Sequence, residues 1–276
     1  MIDCTGTYFI KDDRLFPVGV VEVLTTDAIL IYEVLRVMDS VGLFLEEHYA
    51  RLVHSAQLAG IPLAMTETDF AREIRNLVQA NDLAVGNIKV LIQYGDGKQA
   101  AFFYFIPHVY PAAEAYLYGV KTDCMLAERV LPKAKTVQQS LRNTANQAIQ
   151  EHQLFEVILV NVEKQVLEGS RTNLFFVKGD RFYTPRSEFV LSGITRQKVL
   201  ECLGELNFSC VEQTIPMDTL ADYDAAFLTG TSTKVLPIAS IGEQKFDPMN
   251  QAVRALMKAY DEKMMTYIQN ALRKGV

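Results

Sequence analysis

The spacing of apolar residues switches repeatedly along this chain between the helical and the strand period, so neither an all-helical nor an all-strand fold can bury its hydrophobic positions. Leu45, Tyr49, Leu52, Val53 and Ala56 share one face of a helix that Phe44 leads into and Gly60 stops. Phe70, Ile74, Leu77 and Val78 mark a second helix over 68–80, with Asn81 as its stop. β-formers over 88–94 and 100–106 flank Gly95-Asp96-Gly97, the composition of a hairpin turn. Pro107 and Pro111 suit the end of a domain, which places a boundary near 110–118.

The second half repeats the alternation. A strand is expected over 116–122 and a helix over 139–153, then strands over 156–161 and 173–177 joined by a mostly polar connection, 165–172. A turn at Lys178-Gly179-Asp180 leads into 181–184, and a helix from Thr195 carries Val199, Cys202, Leu203 and Leu206 on one side. A strand over 210–215, a short acidic helix over 218–223 and a strand over 225–229 follow. Val253, Leu256, Met257, Tyr260, Met264 and Ile268 give one long surface helix over 248–272. The expectation is an α/β (α+β) chain with a small N-terminal domain, 1–113, and a larger C-terminal one, 118–276.

With 276 residues, 49% of them hydrophobic, the chain can bury one sizeable core or two modest ones. A formal charge of −6 offers no basic stripe to nucleic acid, and no apolar run reaches the roughly 20 residues that cross a bilayer. The first residues lack a signal peptide's basic and apolar regions, so a cytoplasmic protein with a small-molecule partner is expected. Cys4, Cys124, Cys202 and Cys210 lack metal-ligand or disulfide spacing and read as ordinary thiols, with no metal site expected.

Two segments have the makings of phosphate cradles, Gly193-Ile194-Thr195 and Thr229-Gly230-Thr231-Ser232-Thr233, since each offers backbone NH groups and hydroxyls at a strand end or helix start. In the first, Thr195 is placed to cap the following helix. Each alone is common in α/β folds. Their order and context carry more: Leu167-Glu168-Gly169-Ser170-Arg171-Thr172-Asn173-Leu174-Phe175-Phe176-Val177, then Leu191-Ser192-Gly193-Ile194-Thr195-Arg196, then Phe227-Leu228-Thr229-Gly230-Thr231. This run resembles the signature of the class-IV aminotransferases, the family of branched-chain and D-amino-acid aminotransferases and 4-amino-4-deoxychorismate lyases. Upstream, Glu33-x-x-Arg36 and Glu47-His48-x-x-Arg51-Leu52 resemble the family's N-terminal domain.

The resemblance implies the fold-type IV architecture, pyridoxal 5′-phosphate (PLP) as cofactor, bound between the two domains, and a homodimer. It implies a lysine that carries the cofactor and moves a proton, for which Lys133 and Lys135 are candidates. Lys135 is favoured because its interval to Glu168 is similar to the family's. Glu168 would face the pyridine nitrogen, and Arg51, Ile194, Thr195 and Thr231 would hold the phosphate. Tyr32, Arg36, Arg171 and Ser232 are the candidate substrate residues, while His48 and His54 are assigned to structure. The chain departs from the family in having no glycine over 25–32, and in Val137, Gln138, Gln139 and Ser140 after the lysine. The expected reaction is amino transfer from a branched-chain or similar amino acid to a 2-oxo acid. A lyase releasing pyruvate from aminodeoxychorismate and a catalytically impaired homologue are the alternatives.

Overall fold

The computed structural model describes residues 4–19 and 28–274, which divide into two compact units. The first contains residues up to Val109 together with Ala134–Val137 and Lys263–Val276, and the second contains Tyr110–Lys133 and Gln138–Glu262. This differs from a simple cut near 113–118, because the stretch with Lys135 is tied into the first unit by its backbone. Tyr32 N–H donates to Lys135 O at 3.0 Å, Val137 N–H donates to Leu30 O at 3.2 Å, and Ile31 bridges Thr136.

In the first unit the strands are β1 (Thr5–Lys11), β2 (Arg14–Pro17), β3 (Ile29–Met38), β4 (Val41–Gly42), β5 (Gly86–Gly95) and β6 (Lys98–Ile106), in the order β2-β1-β6-β5-β3-β4, with every pair antiparallel. The β5–β6 hairpin closes over Asp96 and Gly97, both at positive φ (52° and 71°), the conformation a two-residue hairpin loop needs. Helices α1 (Leu45–Leu58) and α2 (Glu67–Asn81) supply Leu52, Ala56, Phe70, Ile74, Leu77 and Val78 to the core formed with Ile31, Leu35, Val37 and the inward face of β5 and β6. Helix α2 begins at a reciprocal capping box, Thr66 with Asp69, and ends at Asp82 in the left-handed region rather than at Asn81. Asn81 instead holds the β1 backbone, accepting from Thr7 N–H at 2.7 Å and Tyr8 N–H at 2.9 Å.

The second unit contains α3 (Ala113–Tyr118), β7 (Val120–Leu126), α4 (Gln139–Glu151), β8 (Glu156–Val160), β9 (Gln165–Gly169), β10 (Asn173–Lys178), β11 (Arg181–Thr184), α5 (Ile194–Glu205), β12 (Ser209–Glu212), β13 (Ile215–Pro216), a 3-10 turn (Met217–Asp222), β14 (Ala225–Gly230), β15 (Lys234–Ile241), β16 (Gln244–Lys245) and α6 (Gln251–Lys274), whose last turns belong to the first unit. The sheet runs β12-β11-β10-β14-β15-β7-β8-β9-β13, with β16 beside β15. Parallel pairing of β7 with β8 is bridged by α4, and the other contacts are mostly antiparallel.

Several expectations are corrected here. Residues 116–118 end a helix, not start a strand; Gly119 (φ 71°) breaks it, and an added Cβ there would meet the backbone N of Ala239 at 2.7 Å. The acidic stretch after Pro216 is a 3-10 turn, and the strand over 210–215 splits into β12 and β13, which pair with different partners. Most consequential, the supposed polar connection over 165–172 contains β9, with Val166, Leu167, Glu168 and Gly169 all buried. Its polar residues are inside because they are partnered.

Candidate active site

In the first unit the arrangement begins with the alternation of β3. Ile31, Glu33, Leu35 and Val37 point to the core, so a carboxylate stands where the pattern calls for an apolar side chain. Burying it requires compensation. That comes from α1, where His48, Arg51, Leu52 and Ser55 share one buried face at the i, i+3, i+4, i+7 spacing. Arg51 Nε donates to Glu33 Oε1 at 2.8 Å and Arg51 Nη2 to Oε2 at 2.6 Å, while His48 Nδ1 lies 2.7 Å from Oε2. Burial alone would raise the Glu33 carboxyl, but the Arg51 guanidinium and the His48 bond prevail and hold it at about 2. Burial pushes His48 below its ordinary value, with Glu33 opposing and Arg51 adding to the shift, which favours the neutral ring.

Lys135 lies beside this group. Its N–H donates to Ser55 Oγ at 3.1 Å, its carbonyl accepts from Tyr32 at 3.0 Å, and its Nζ sits 4.8 Å from the Tyr32 ring centroid. Main chain and amine are therefore both located, whereas Lys133 is exposed and belongs to the other unit. Tyr32 and Arg36 occupy the face of β3 opposite Glu33, so the strand separates them from Arg51. Lys89, on β5, also places its Nζ 4.8 Å from the Tyr32 ring. His54 is exposed. Residues 25–27 of the glycine-free segment lie outside the described residues.

In the second unit, Glu168 at the end of β9 is 3% exposed and fully engaged. Oε1 accepts from Arg129 Nε at 2.6 Å; Oε2 accepts from Asn173 Nδ2 at 2.9 Å and from Leu191 N–H at 3.1 Å. Asn173 is therefore the joint between two sequence motifs, because its Nδ2 also donates to Leu191 O at 2.9 Å. It abuts the second of these motifs again two residues on: a Cβ added to Gly193 would collide with its Oδ1. Gly193, not Thr195, is the N-cap residue of α5, and no side chain caps the helix among the described residues. Thr195 is instead a buried residue of the first turn, next to buried Ile194. Asn173 lies directly opposite Thr229 across the β10–β14 pair, which leads into Gly230-Thr231-Ser232. Thr231 and Ser232 are half-buried, and the Arg171 guanidinium contacts Asn146.

The turn between β9 and β10 rests on a second buried carboxylate. Glu156 accepts from Ser170 Oγ at 2.7 Å, from the Arg171 N–H at 3.1 Å and from Thr172 Oγ1 at 3.2 Å. Sequence reasoning missed Glu33, Ser55, Arg129, Asn173 and Glu156 as site supports. The inward charge within the β3 alternation and the helical spacing from His48 to Ser55 were legible signals for two of them; Arg129, thirty-nine positions from Glu168, had none.

The residues present fit a phosphorylated cofactor. Within the second unit an uncapped helix start suits an anion. The fully buried Thr229 hydroxyl has no hydrogen-bond partner among the described residues, leaving capacity for a ligand oxygen. No cluster of His, Cys, Asp and Glu that could hold a metal occurs among the described residues. Burial raises the Cys124 and Cys210 thiols to about 11 and about 12, so neither is a ready nucleophile.

Comparison with known proteins identifies the family. The family model for class IV amino-transferases matches residues 30–241. A D-alanine aminotransferase from Bacillus licheniformis is 30% identical over 227 residues, covering 78% of this chain and 79% of its own. A branched-chain-amino-acid aminotransferase from Pseudomonas aeruginosa is 28% identical over 243 residues, 78% and 76% of the two chains. The crystal structure of a branched-chain aminotransferase from Thermoproteus uzoniensis with norvaline superposes with a TM-score of 0.85, covering 98% of both chains at 21% identity, a likeness of fold. The fold is the two-domain fold-type IV architecture of these enzymes, and the chain belongs to the class IV aminotransferase family.

Proposed function

We propose that the protein is a PLP-dependent aminotransferase that moves the amino group of a branched-chain or similar amino acid to a 2-oxo acid. The observation that carries this reading is Lys135, whose backbone is pinned on both sides and whose amine is held over Tyr32. When bound, PLP supplies an electron sink that makes the Cα proton of an amino acid removable. The chain supplies everything else.

Lys135 would carry the cofactor, and its Nζ would take the proton from the substrate Cα. Glu168, paired with Arg129 and oriented by Asn173 and Leu191, would hold a proton on the pyridine nitrogen. The phosphate is assigned to Arg51, the start of α5 at Ile194 and Thr195, and Thr231. The Glu33 pair fixes the Arg51 guanidinium in place. Arg36, Tyr32, Arg171 and Ser232 are assigned to the substrate, with cationic or hydroxyl donors for its carboxylate.

A lyase acting on aminodeoxychorismate would begin with the same proton abstraction, so Lys135 and Glu168 do not separate the two. The test is to give the PLP-loaded protein an amino donor alone, L-leucine, L-valine or D-alanine, and follow the absorption spectrum. Conversion to the pyridoxamine form with release of one 2-oxo acid per site is expected. Pyruvate release from aminodeoxychorismate without an acceptor, and no conversion by any amino acid, contradicts it.

A further inference from the structure

Thr229 is a buried hydroxyl that the fold places without using. Its side chain is 1% exposed, and Oγ1 has no hydrogen-bond partner among the described residues. Leaving such a group unpaired costs free energy, and a valine of the same shape would avoid that cost. Its surroundings say where the missing partner comes from. In the β10–β14 pair Asn173 faces Thr229 and Phe175 faces Phe227, so these four side chains share one side of the sheet. Phe175 and Phe227 stack at 5.0 Å, and the Arg196 guanidinium of α5 lies 5.9 Å from the Phe175 ring, so α5 covers that side. Asn173 abuts Gly193, the uncapped start of α5. Thr229 thus shares its sheet face with Asn173, which abuts the N-terminal turn of α5, where peptide NH groups lack intrahelical partners and the helix dipole is positive.

We propose that Thr229 is a phosphate-binding residue of this protein, its Oγ1 donating to an oxygen of the cofactor phosphate alongside the NH groups of the first turn of α5. This rests on the PLP reading and extends it to a residue that forms no part of the Thr195 and Thr231 assignment. The threonine is kept at a structural cost to the ligand-free chain, and the cost is recovered only when an anion arrives.

The test compares wild type with Thr229→Val and Thr229→Ser, measuring the melting temperature of the ligand-free protein and the dissociation constants for PLP and for pyridoxal, which lacks the phosphate. Thr229→Val is expected to melt at or above the wild-type temperature, to bind PLP about tenfold to a hundredfold more weakly, and to bind pyridoxal as wild type does. Thr229→Ser, which keeps the hydroxyl, should retain most of the PLP affinity. Unchanged PLP affinity in Thr229→Val overturns this inference alone. Equal losses for PLP and pyridoxal also overturn it, since the residue would then serve packing or the ring. A wild-type protein that binds no PLP overturns the proposed function and this inference together. Should Thr229→Val not fold, Thr229→Ala carries the same comparison of the two ligands.

Discussion

Arg51 shows how a residue's role depends on its partner. The motif around it was readable in the sequence, and the alternation of β3 marked Glu33 as an inward charge, but that the two pair was not readable, because they stand eighteen positions apart on different elements. Arg51→Ala is expected to weaken PLP binding about tenfold to a hundredfold in a titration. It should also destabilise the ligand-free protein by about 3–5 kcal/mol in urea unfolding, because the Glu33 carboxylate is left buried and uncompensated. An unaltered PLP affinity would remove Arg51 from the site. The same cluster sets a pH response. Glu33 is held at about 2 from an ordinary 4.5, so its contribution is present above 4.5 and lost as pH falls toward 2. His48 is lowered from 6.5 by burial, so the unfolded chain takes up its proton first and stability falls as pH drops below 6.5. Urea midpoints measured across that range should decline on acidification, and less steeply in His48→Asn. Identical slopes would mean His48 does not titrate differently on folding.

Among the elements, helices α1 and α2 and the β5–β6 hairpin were the most legible, since their apolar periodicity and turn residues agree with the packing they adopt. Strand β9 was not, because Gln165 and Glu168 look like loop residues until Arg129, Asn173 and Leu191 are seen to satisfy the glutamate. The start of α5 was half legible: Gly193-Ile194-Thr195 stood out, but Thr195 was expected to cap a helix that Gly193 begins. The reason is Asn173, which occupies the space a side chain at the cap would need. Gly193→Ala should therefore push Asn173 aside, release Glu168 from one of its donors and lower PLP affinity well beyond the effect of an ordinary Gly→Ala change. The check is the PLP dissociation constant alongside that of Asn173→Ala. Wild-type affinity in Gly193→Ala would show that the contact is not limiting.

For the whole molecule, the division into units assigns Lys135 and Lys133 to different bodies although they are two residues apart. The sequence interval to Glu168 favoured Lys135 by resemblance, and the structure adds a physical difference between the two lysines: one is clamped by Ser55 and Tyr32, the other exposed. Because PLP binds only the folded chain in this account, saturating cofactor should raise the melting temperature, by an amount equivalent to about 2.7 kcal/mol at one hundred times the dissociation constant. The proposed chemistry depends most directly on which lysine carries the cofactor. Borohydride reduction of the PLP-loaded protein, followed by proteolysis and mass spectrometry, is expected to place the pyridoxyl group on Lys135 and to find none in Lys135→Ala. A pyridoxyl group on Lys133, or on no lysine while PLP is bound, would contradict it.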